Sequence, residues 1–189
     1  QARLRDQNRA LMGEKTDEQK ARMIPPLASG DWLATMCLTE PQCGTDLGLI
    51  TTKAEPQEDG SFKLTGTKTW ITNSVEGEML AVLVKTDPEA EPAHKGMSLL
   101  LVPKSAGFKA SKLKKLGYKG IDTGEVQFSG VRVPRSALIG EVEGRGLQQI
   151  LSGLELGRIN VAARGVGVRA MVRTHACSPL YSRHRRRQS

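Results

Sequence analysis

Residues Cys37 to Gly48 read CLTEPQCGTDLG, and Trp70-Ile71-Thr72 follows further along. The apolar run Ala34 to Leu38 predicts a buried strand. It stops at Glu40-Pro41, because proline removes a ladder donor and pushes the residue before it toward extended geometry. Thr39 therefore stands where a strand becomes a loop. Gly44, Thr45 and Asp46 predict a tight polar turn, since glycine permits a positive φ and Asp or Thr side chains accept from backbone N–H groups two residues on. Such a turn can aim amides at an anion. The hydroxyls of Thr39 and Thr45 both donate and accept, which suits a diphosphate or a pyrimidine edge. On chemistry alone an ordinary strand-to-turn corner explains these residues better, because polar turns with Gly and Asp are common.

The pairing of CLTEPQCGTD with GTKTWITNS alters that balance. It resembles the middle domain of the acyl-CoA dehydrogenases, and the likeness runs from about Thr16, where TDEQKARMIPPLASGDW resembles a segment of the family, through GRINVAARGVG to Val168. Cys43 and Leu49 depart from the small residues usual at their places. The resemblance implies an α+β fold, with an all-β middle domain flanked by helical segments that are incomplete helical bundles. The expected division is 1–33 as the end of an N-terminal helical domain, 34–140 as the β domain and 141–172 as the first helix of a C-terminal domain. Residues 173–189 are expected to form a disordered basic tail.

The implied chemistry is α,β-dehydrogenation of an acyl-CoA thioester. A carboxylate takes the α-proton, the β-hydrogen leaves as hydride to the flavin of FAD, and electron-transfer flavoprotein reoxidises the cofactor. The flavin carries the difficult step while protein groups orient and polarise. By position, Leu38 and Thr39 would meet the flavin pyrimidine edge, and Gly44 and Thr45 the diphosphate, with Thr45 also near substrate. Trp70 would cover one face of the ring, Thr72 would bond near N5, and Ile71 would contribute backbone. Glu155 and Arg158 would lie along the pantetheine and adenine end of the coenzyme. Each has a plainer reading: Trp70 as a core tryptophan, Thr72 as a solvent-facing strand residue, and Glu155 with Arg158 as a surface ion pair. The catalytic base is not identified, and Glu155 is not promoted to that role.

Around this motif the pattern is consistent. Leu4 to Leu27 has helical spacing, with Pro25-Pro26 expected to end the helix and Gly30 to mark the exit. A period of two then takes over in Phe62 and Leu64, in Met79, Ala81 and Leu83, in Met97, Leu99 and Leu101, in Val126 and Phe128, and in Val131 and Val133. Turn signals stand at Asp59-Gly60, Ser129-Gly130 and Val133-Pro134. From Gly146 the helical period returns through Leu147, Ile150, Leu151, Leu154, Ile159, Ala162, Ala163 and Val166. Gly153, Gly157, Gly165 and Gly167 each cost this helix about 1 kcal/mol against alanine.

Lys and Arg number 28 against 20 acids in 189 residues, a net charge of +8. Five arginines lie after Val172, and without them the balance falls to +3. A modest positive charge is compatible with coenzyme A phosphates and decides little. A nucleic-acid binder would need aromatics interleaved with the Arg183 to Arg187 run, and these are absent. Cys37, Cys43 and Cys177 make no CxxC pair or even framework, which argues for a reducing compartment, and they and the scattered His94, His175 and His184 predict no metal site. With Gln1 first and no leader or long apolar run, the sequence reads as a fragment without a membrane span. By resemblance the parent enzyme is a homo-oligomer of the bacterial cytoplasm or the mitochondrial matrix. An acyl-CoA oxidase or another flavoenzyme of the same fold is the alternative.

Overall fold

The computed structural model describes residues 16–176. Helix α1 spans Asp17–Ser29 and opens with a reciprocal capping box, in which the Thr16 hydroxyl accepts from the Gln19 N–H and the Gln19 side chain accepts from the Thr16 N–H. Pro25 and Pro26 lie inside this helix, which closes at Gly30 with φ 89°. The expectation that the prolines end it is corrected. Burial of Met23 and Leu27 against the sheet offsets the two lost amide donors. Gln19 adds a clamp, its Nε2 donating to the carbonyls of Ser136 and Leu138 at 2.9 Å each. The part of the expected helix before Thr16 lies outside the described residues.

Among the described residues seven strands follow: β1 Ala34–Cys37, β2 Lys53–Pro56, β3 Phe62–Thr72, β4 Met79–Lys85, β5 Met97–Pro103, β6 Lys109–Lys112 and β7 Thr123–Val133. β4 pairs antiparallel with β5 along its whole length. Its other edge is shared end to end by β1, parallel from Ala34↔Met79 to Cys37↔Val82, and by β2 at Lys53↔Lys85. From β2 the sheet continues antiparallel through β3 and β7 to β6. Phe62, Leu64, Val126 and Phe128 from one end share a core with Leu80, Val82, Val84, Leu100 and Val102 from the other, so the sheet curls around them.

β4 and β5 are buried on both faces. Leu80, Val82 and Val84 point into the curl, whereas Met79, Ala81 and Leu83 form a second core with Met23, Leu27 and Ile150 from the helices. A strand covered on both sides reads as a nearly continuous apolar run, as MLAVLV does. Ser129-Gly130 is not a turn. Gly130, with φ 74°, is a bulge within β7, where the pairing with β3 shifts between Leu64 and Thr65. The extra residue moves the inward positions from Val126 and Phe128 to Val131 and Val133.

Helix α2 spans Gly146–Ala176. It docks through its start: a Cβ on Gly146 would stand 2.4 Å from the Ser98 carbonyl carbon, so only glycine permits this approach. Ile150 is buried, but Leu151, Ile159 and Val166 are exposed, as are Ala162 and Ala163. Because α2 runs to Ala176, Arg173 belongs to the helix and not to a tail. Residues 177–189, with Cys177, His184 and the arginine run, lie outside the described residues. No described helix is long and apolar enough to cross a membrane.

Candidate functional site

β1 ends at Cys37, so Leu38 and Thr39 begin the loop. The tight turn is Glu40 to Cys43, closed by Glu40 N–H to Cys43 O at 2.9 Å and Cys43 N–H to Glu40 O at 3.1 Å, with Pro41 at the second position that its fixed φ favours. The turn expected at Gly44 to Asp46 is thereby corrected: Gly44 has no positive φ, and its role is proximity, since a Cβ there would touch the Thr39 methyl at 3.6 Å. Asp46 accepts from the Gly48 N–H at 2.9 Å, capping a short 3-10 turn Leu47–Leu49. Thr45 is exposed.

The opposite wall is β3. Its register with β7 breaks between Lys68 and Ile71, and Trp70 occupies the break with φ 58°. A left-handed tryptophan costs about 1–3 kcal/mol and persists only where surroundings over-determine it. Trp70 is 62% exposed and outside both cores, so its reading as a core residue fails. Ile71 buries its side chain and Thr72 is half-buried, its carbonyl accepting from Thr35 Oγ1 at 2.9 Å. The two walls meet where Thr69 N–H donates to Thr39 O at 2.9 Å. Leu38, Thr39 and Gly44 thus lie beside Trp70, Ile71 and Thr72.

Glu155 and Arg158 are exposed on α2, and no ion pair between them or contact with the other candidates is seen among the described residues. Farther along α2, Arg164 lies 5.3 Å from the centroid of the Tyr118 ring.

Beneath the site lies a pair that sequence reasoning passed over. Lys68 Nζ donates to Glu40 Oε1 at 2.8 Å and to Leu38 O at 3.0 Å, and both side chains are essentially inaccessible. Glu40 also accepts from Thr51 N–H at 2.7 Å, Thr51 Oγ1 at 2.9 Å, Thr52 N–H at 3.0 Å and Gln42 Nε2 at 2.6 Å. Burial pushes the Glu40 carboxyl up, but Lys68 and the threonine donors outweigh it and hold it at about 2. Burial pulls the Lys68 ammonium down, against the opposing pull of Glu40. It also pushes the Cys37 thiol up to about 12, with nearby Lys68 opposing, so this cysteine is chemically inert. The signal was available: Lys68 has the parity of inward Phe62 and Leu64, and a buried lysine requires a carboxylate.

The family profile described as "Acyl-CoA dehydrogenase, middle domain" matches residues 35–131. The chain belongs to the acyl-CoA dehydrogenase family. It is 34% identical to the mitochondrial isovaleryl-CoA dehydrogenase of Pongo abelii over 92% of this chain and 41% of that protein. A crystal structure of an acyl-CoA dehydrogenase from Geobacillus kaustophilus superposes with a TM-score of 0.78 at 36% identity, covering 82% of this chain and 41% of that one. A glutaryl-CoA dehydrogenase from Mycobacterium smegmatis in complex with FADH2 matches with a TM-score of 0.70 at 32% identity, over 79% of this chain and 36% of that one. The chain spans well under half the length of the curated relatives it matches.

Proposed function

We propose that this chain is the flavin- and acyl-CoA-binding part of an FAD-dependent acyl-CoA dehydrogenase. The observation that carries the reading is Trp70, an exposed tryptophan held in a left-handed conformation beside the Thr39 turn. A solvent-facing indole at such a cost fits a flat aromatic cofactor, against which it would exclude water. When bound, FAD would supply the acceptor for a hydride leaving Cβ of the thioester.

The chain's own groups would bind and orient. Leu38, whose carbonyl is held by Lys68, would offer backbone to the flavin next to the Thr39 hydroxyl. Thr45 would meet the diphosphate and Thr72 the ring edge, while Ile71, anchored in the core, offers backbone. Arg158 and Glu155 would lie along the coenzyme tail, the guanidinium supplying charge-assisted bonds to an anionic ligand. No carboxylate of the chain is assigned to proton removal. In the complete enzyme, electron-transfer flavoprotein would accept the electrons and the protomers would associate. The site of action would be the mitochondrial matrix or the bacterial cytoplasm, a reading supported by the mitochondrial and bacterial enzymes among the relatives.

The test is titration of the protein with FAD, followed by anaerobic addition of acyl-CoA thioesters. FAD should quench Trp70 fluorescence and acquire a structured visible spectrum, and Trp70→Ala should weaken its binding at least tenfold with little loss of folding. A correctly folded protein that takes up no FAD would refute the reading.

A further inference from the structure

We infer that the buried Glu40–Lys68 pair is a positioning device that locks the Thr39–Thr52 loop to the Trp70 bulge and thereby sets the surface offered to the flavin. The inference rests on the flavin reading proposed above. Every other ion pair among the described residues has side chains at least 35% exposed, whereas this one is sealed at 0% and 1%. Sealed pairs contribute little net stability, because desolvation cancels most of the attraction. What such a pair does impose is direction.

The bonds show what is being directed. Glu40 stands at the start of the loop and takes the N–H groups of Thr51 and Thr52 at its end, so one carboxylate closes the loop that carries Gly44 and Thr45. Lys68 ties that carboxylate and Leu38 O to β3, two residues before Trp70. Thr69 N–H adds the bond to Thr39 O. The β3–β7 ladder is interrupted between Lys68 and Ile71, so cross-strand pairing does not hold Trp70 in its left-handed state. The constraint entering the bulge comes from the loop side, through Lys68 and Thr69. Glu40 and Lys68 are positioning residues and contact no ligand, since both are inaccessible.

The test uses the 15N-labelled chain with the double variant Glu40→Gln/Lys68→Met, which removes both buried charges while keeping volume and, in the introduced amide, a carbonyl acceptor for Thr51 and Thr52. Its melting temperature should return close to that of the parent, and the Trp32 indole resonance should not move. The Trp70 indole resonance should shift or broaden, the Thr69 amide should exchange faster, and the FAD Kd should rise about tenfold, the scale of losing one charged hydrogen bond. Glu40→Asp, which keeps the charge pair but withdraws the carboxylate, should shift Trp70 in the same sense and covers the case of a double variant that does not fold. An unmoved Trp70 resonance in both variants, or an FAD affinity that recovers together with stability, would overturn the inference. If the parent chain binds no FAD, the flavin reading falls, while the resonance and exchange measurements still decide whether the pair positions Trp70.

Discussion

Replacing Gly66 with alanine tests how the loop and β3 are fitted together. Gly66 has φ 150°, and a Cβ built on it would stand 2.4 Å from Thr52 Oγ1 and 2.7 Å from both Cα and Cβ of Thr52. Two costs combine. A side chain in this glycine-only region costs about 1–3 kcal/mol, and overpacking against a buried neighbour costs about 1–3 kcal/mol more. Gly66→Ala should therefore destabilise by about 2–6 kcal/mol. Gly60→Ala is the control, because φ there is 77° but nothing lies within 4 Å; its cost should be the conformational part alone, about 1–2 kcal/mol. Thr52→Ala should be near neutral, since Thr52 Oγ1 is buried without a partner. Combined with Gly66→Ala it should restore less than half the loss, because only the hydroxyl contact disappears while Cα and Cβ stay. Urea unfolding followed by far-UV circular dichroism gives all four values. A Gly66→Ala cost no greater than that of Gly60→Ala, or full rescue by Thr52→Ala, would refute the close-approach argument.

Acid should act through Glu40. Its carboxyl is lowered from 4.5 to about 2, so the stability it confers is complete above pH 4.5 and is lost as pH falls through about 2. Protonating it takes away the buried partner of Lys68, a loss of about 3 kcal/mol even though the intact pair adds little net stability. Glu40→Gln should flatten the acid limb of stability against pH, and an unchanged limb would assign the transition to other carboxylates. On α2, Ile159 and Val166 are 67% and 69% exposed, so the chain should self-associate, and Ile159→Glu/Val166→Glu should shift its sedimentation toward the monomer.

Much of the fold was legible because burial leaves a period. The inward residues of β3, β4, β5 and β7 stand two apart, and the change of parity from Phe128 to Val131 around Gly130 marks a bulge that reads equally as a turn when glycine is taken alone. The capping box at Thr16 and Gln19 came to light only in the structure. Pro25 and Pro26 misled because local propensity yields to the burial of Met23 and Leu27. Of the proposed flavin contacts, Thr39, Trp70 and Thr72 were picked out by motif. Glu40 and Lys68 were passed over: the parity of Lys68 marks it as inward, but which distant carboxylate meets it depends on the fold.

The sequence by itself determined the family, the two-residue period of the sheet, the helical period from Gly146 and the chemical types gathered around the motif, since these depend on local spacing and side-chain chemistry. Only the tertiary structure decided that Trp70 faces solvent in a left-handed conformation, that β4 is buried on both faces, and that one carboxylate closes the loop from Glu40 to Thr52. Each of these depends on which distant strand lies alongside, and a buried charge or a strained φ is stable only once that neighbour has arrived.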